Sequence, residues 1–202
     1  MKRSGGVTAV GIVLIVAGIF STIGPLISLA IGPQMVDANI AQMKQGLERL
    51  PTGDQAGQIS DEKKAKIMTN VDQVGQEIRT MMEAPIIKIA TLLKAVLGAF
   101  ALIGGIGILL LQGWARKLIV VQAGSSIVLG LWELWLSPQR QIAERFVAAM
   151  ADLVPSAALA SLRETMVLGQ TVGLGLGLAL LLTWNGFIIW FFTRPSTKAQ
   201  FR

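Results

Sequence analysis

The stretch VTAVGIVLIVAGIFSTIGPLISLAI, residues 7–31, carries no charged side chain over 25 positions. A helix rises 1.5 Å per residue, so about 20 apolar residues cross the ~30 Å hydrocarbon core of a bilayer. Inside hydrocarbon a single apolar run must satisfy its own backbone N–H and C=O groups, and the helix does so. Three further stretches meet the same test. Residues 86–111 hold only Lys88 and Lys94, residues 118–136 hold only Glu133, and residues 166–193 are uncharged. The pattern predicts an all-α integral membrane protein with four transmembrane helices in a single membrane domain. A rival reading of the first stretch exists. Lys2 and Arg3, the apolar run and Ser28-Leu29-Ala30 have the form of a signal peptide. Signal h-regions run about 7–15 residues, shorter than this one, which favours a retained span.

Composition agrees. Among 202 residues 52% are apolar and 15% charged, with a mean hydropathy of +0.61; soluble domains carry about a quarter charged residues. The chain has no Cys, His or Tyr. That removes thiolate chemistry and disulfides, and with them the commonest general base and metal ligand. No nucleophile constellation, paired carboxylates or phosphate loop stands out, so the expectation is a protein that is not an enzyme and has no cofactor and no metal. Met43, Met68, Met81, Met82, Met150 and Met166 fall largely on helical apolar stripes and read as packing residues rather than copper ligands. The run Gly173-x-Gly175-x-Gly177 lies inside an apolar span with no strand before it, so it does not read as a dinucleotide loop.

Charge placement sets the expected orientation. Segments 1–6, 112–117 and 194–202 carry seven Lys/Arg and no acid, whereas segments 32–85 and 137–165 carry nine Lys/Arg against eleven Asp/Glu. The raw basic count favours the longer segments. Basic density next to the span ends favours the shorter ones, and that proximity governs insertion. Both termini are therefore expected in the cytoplasm, in a cell membrane of the bacterial inner-membrane kind. Trp114, Trp184 and Trp190 then lie toward the inner interface and Trp132 and Trp135 toward the outer one. The near balance of charge outside gives no basic patch for nucleic acid.

The outer segments have helical periodicity. Val36, Ile40, Met43, Leu47 and Leu50 recur at 4-3-4-3 spacing, as do Ile67, Val71, Val74, Ile78 and Met81; such seams belong to coiled coils. Pro51-Thr52-Gly53-Asp54 separates them, and Ser60 is placed to cap the second helix. The expectation is an extracytoplasmic helical cap made of a hairpin over 34–84 plus a short helix over 138–153. Pro155-Ser156 restarts the chain toward the fourth span, and Pro85 is expected to kink the second.

Two sets of residues carry functional expectations. Gly169, Gly173 and Gly177 at four-residue spacing, and Gly98 and Gly105 on the second span, present side-chain-free faces for close helix packing, within the chain or between subunits. Lys94, by the 1.5 Å rise, lies roughly 12 Å below the outer end of the second span. Glu133 lies about one turn below the outer end of the third, so the two form a candidate intramembrane pair, with Lys88 as the other basic partner. The leading functional expectation is an accessory, scaffold or assembly subunit whose partners are the bilayer, other membrane subunits or copies of itself. The alternatives are a small channel or transporter using Gln122, Ser126, Glu133 and Lys94, and a sensor relaying through a partner.

Overall fold

The computed structural model describes residues 4–49, 60–136 and 156–201. They form α1 Gly5–Glu48, α2 Asp61–Glu83, α3 Pro85–Leu109, α4 Gly113–Leu136, α5 Ser156–Thr193 and α6 Pro195–Lys198, with no strand among the described residues. Four helices, α1, α3, α4 and α5, are long and apolar enough to cross a membrane. They contain the stretches 7–31, 118–136 and 166–193 and, of the stretch 86–111, all but its last two residues, which enter the turn after α3. The expected short helix over 138–153 and the 51–59 connection lie outside the described residues.

Two boundaries differ from expectation. α1 was expected to end near residue 31 and a new helix to begin at 34, yet it continues for 44 residues through Pro25 and Pro33. A proline inside a helix removes one backbone hydrogen bond. One turn before Pro25, Ser21 Oγ donates to the Ala17 carbonyl and Thr22 Oγ1 to the Gly18 carbonyl, each at 2.7 Å. Hydroxyl back-bonds of this kind satisfy the side chains inside an apolar helix and bend it slightly. At Pro85 the expected kink is a complete break. α2 ends at Glu83, and Ala84 adopts φ −56°, ψ 131°. The proline ring crowds the residue before it into extended geometry. At the first position of α3 its missing N–H costs nothing.

Backbone contacts group the chain into two compact units. The first takes α1 up to Leu29, Lys88–Leu136 and α5 from Leu174 onward. Its core joins Val7, Val10 and Leu14 of α1, Ile108 of α3, Ala115, Ile119 and Ala123 of α4, and Ile188 and Phe192 of α5. Glycines set the helix separations. A Cβ on Gly11, Gly18, Gly98 or Gly105 would fall within about 3 Å of atoms of the facing helix in the α1–α3 pair. At Gly18 and Gly98 those atoms include backbone: Leu102 N and Cα, and Ser21 C and Thr22 N. Gly107 likewise admits the Ala115 methyl group between α3 and α4.

α3 and α4 are joined by a three-residue turn. Gln112 N–H donates to the Gly107 carbonyl and Leu111 N–H to that of Ile108, each at 2.9 Å. This is the paired bonding of a Schellman helix end. Leu111 takes the left-handed position with φ 54°, where glycine is usual because a Cβ is crowded there. Its side chain packs against the core cluster, which offsets that strain.

The second unit takes Ala30–Ile87 and α5 up to Gly173. Here α1 and α2 pack antiparallel: Leu47, Ile67 and Val71 are buried together, with Ile40, Met43 and Met68 against them. The closest approach is at Gly75, under the Ile40 side chain, rather than at the neighbouring seam residue Val74. Ser60 caps α2, its hydroxyl accepting from Lys63 N–H at 3.4 Å. Lys44 reaches Asp72 at 2.6 Å, and Arg79 lies 3.6 Å from both Asp37 and Glu83. Exposed pairs of this kind contribute about 0.2–1 kcal/mol each, so buried apolar side chains set the stability of the helix pair.

Candidate functional site

Lys94 and Glu133 come together, with Lys94 Nζ 2.7 Å from Glu133 Oε2. α3 and α4 run in opposite directions from their shared turn, and each Cα–Cβ bond tilts toward the N-terminus of its own helix. Lys94 therefore leans away from the turn and Glu133 leans toward it. The Gly107–Ala115 contact fixes the register. By that register Glu133 lies roughly 7 Å farther from the turn than Lys94, about the reach of a lysine stem. The lysine side chain is 47% exposed and that of the glutamate 29%, as for a pair between two helix surfaces. Lys88 is exposed and forms no ion pair with another described residue.

Along α4, Gln122 Nε2 donates to Ser126 Oγ at 3.0 Å, one turn apart, and both are half-buried. Ser125 is exposed.

The glycines divide sharply. Gly98 and Gly105 lie against α1 as described above. A Cβ on Gly169, Gly173, Gly175 or Gly177 would meet nothing within 4 Å among the described residues.

Some residues were not singled out from the sequence. Gly11 and Gly18 supply the α1 side of the α1–α3 contact; their seven-residue spacing on one face was the available signal. Asn185, inside the fourth span, is buried to 6% exposure and donates to the Leu181 carbonyl at 2.8 Å. Arg116 Nη1 donates to the Phe192 carbonyl at 3.3 Å, tying α4 to the end of α5.

No protein-family model matches the chain, and neither does any curated protein or solved structure. The functional reading therefore rests on the geometry of the chain itself.

Proposed function

We propose that this chain is a non-enzymatic accessory, scaffold or assembly subunit of a cell membrane, acting through helix–helix contact in the bilayer. The reading carries with it both termini in the cytoplasm, a membrane of the bacterial inner-membrane kind, and the α1–α2 pair as part of an extracytoplasmic helical cap. One observation supports the contact role above the others. Gly11, Gly18, Gly98, Gly104, Gly105, Gly107 and Gly130 each receive a neighbouring helix. The set Gly169, Gly173, Gly175 and Gly177 is grouped on a single helix and receives none among the described residues. Small-residue faces in spans favour association because backbones approach closely, so the occupant of this face is another chain or another copy. Isolated glycines such as Gly24, Gly124 and Gly186 also lack neighbours within 4 Å among the described residues, but they are scattered and build no face.

Purification in a mild detergent tests the proposal. A stable oligomer or a co-purifying subunit is the expected result. A monomer with no cross-linked partner in native membranes would discard it.

A channel or transporter is the second reading, favoured by the line Gln122, Ser126 and Glu133 on α4 with Lys94 beside it. Under that reading Glu133→Gln changes ion flux in liposomes. Absence of flux in the unmodified protein removes it.

A further inference from the structure

The first unit concentrates positive charge at one end, and no Asp or Glu pairs with it among the described residues. Arg116, through its bond to the Phe192 carbonyl, and Arg194, two residues beyond Phe192, flank the same end of α5. The Arg194 guanidinium lies 4.2 Å over the Trp190 ring, a stacked arrangement that holds its plane. Lys117 on α4 and Lys198 on α6 are exposed nearby in sequence. Ser4 N–H donates to Gln200 Oε1 at 3.1 Å, which brings the start of α1 to this end as well. No Asp or Glu occurs between residues 84 and 132 or after residue 164. The next carboxylate along α4 from Arg116 is Glu133, roughly 25 Å away by helical rise. Trp114 and Trp190 are half-exposed beside the cations, in the manner of rings at a headgroup layer.

We propose that this end binds an anionic phospholipid, with Arg116 and Arg194 holding the headgroup phosphate and Lys117 and Lys198 adding charge. Arginine matches phosphate geometry through its planar donor fork. The two guanidiniums are already oriented, one by a carbonyl and one by a ring, so less order is lost when a phosphate arrives. A nucleic acid fits poorly, because the cations sit at the ends of apolar helices, where lipid phosphates lie. The inference stands apart from the α5 glycine face and survives its failure.

The test uses the full chain in neutral detergent, titrated with phosphatidylglycerol, with phosphatidylcholine or with inorganic phosphate. Thermal unfolding and the change in tryptophan fluorescence are read in each case. Phosphatidylglycerol is expected to raise the unfolding midpoint and phosphatidylcholine is not. Arg116→Gln with Arg194→Gln is expected to weaken apparent affinity about fivefold per cation removed. If that pair fails to fold, Lys117→Gln with Lys198→Gln, both exposed, is expected to weaken binding in the same direction. Arg49→Gln with Lys63→Gln, which removes equal charge from the second unit, is expected to leave binding unchanged. Equal loss in this last pair, no loss in the first two, or the same midpoint rise with inorganic phosphate overturns the proposal.

Discussion

Lys94 and Glu133 meet at 2.7 Å although they leave their helices at different depths. Because α3 and α4 are antiparallel, the N-terminal tilt of each Cα–Cβ bond points the two side chains at each other. The flexible lysine stem covers the remaining offset. A double-mutant cycle of Lys94→Met and Glu133→Leu is expected to give a coupling of about 0.5–2 kcal/mol, the range of polar contacts between spans. Additive single effects in thermal unfolding would show that the two heads act independently.

The α1–α3 contact gives a sharper expectation. A Cβ at Gly98 would lie 2.6 Å from the backbone of Ser21 and Thr22, and backbone cannot rotate aside as a side chain can. Even Gly98→Ala must separate the helices, at a cost of about 1–3 kcal/mol. Gly24→Ala, on the facing helix α1, meets no described atom within 4 Å and is expected to be neutral. Melting of the two variants in detergent, side by side, checks the difference.

These comparisons show what the sequence discloses and where it stops. Uninterrupted apolar runs locate four spans because a bilayer leaves no alternative for backbone polar groups. The first span was expected to end at residue 31 and a separate helix to begin at 34, yet α1 passes through both positions, because the loss of charge-free sequence ends the hydrocarbon run without ending the helix. Lys94 and Glu133 were legible as a pair because so few charges occur inside the spans. Gly98 and Gly105 were legible as contact residues, but their partner helix was not. Small residues announce a close approach without naming what approaches, and that information lies in the three-dimensional register.

In the second unit, Ile67 is 1% exposed between Leu47 and Val71. Truncation of a buried isoleucine to alanine typically costs about 2–5 kcal/mol. Ile67→Ala is expected to raise hydrogen exchange across α2, while exchange in α3 and α4 stays close to that of the unmodified protein. A uniform change over all helices would show that the α1–α2 pair does not unfold as a separate element.

Orientation is open to direct labelling, since the chain has no native cysteine. Cysteines introduced at Thr52 and Ser156 are expected to react with an impermeant thiol reagent outside intact cells, and one at Ser196 is not. The opposite pattern would reverse the topology and move the basic end outside, leaving the four helices as they are.

The face formed by Gly169, Gly173 and Gly177 decides the assembly reading. A side chain at Gly173 meets no described neighbour, so Gly173→Leu is expected to leave the unfolding midpoint of the detergent-solubilised monomer unchanged. In an assembly, a branched side chain at the centre of this face would stand where two backbones nearly touch, and overpacking costs about 1–3 kcal/mol. The oligomer or partner complex is therefore expected to dissociate about 5- to 150-fold more readily, as read by cross-linking in membranes and by size in mild detergent. Leu180→Ile keeps side-chain volume and is expected to change neither quantity appreciably. A fall in monomer stability would place another part of the same chain on this face. If Gly173→Leu alters neither the fold nor the assembly, the glycines face lipid and α5 takes no part in the contacts proposed here.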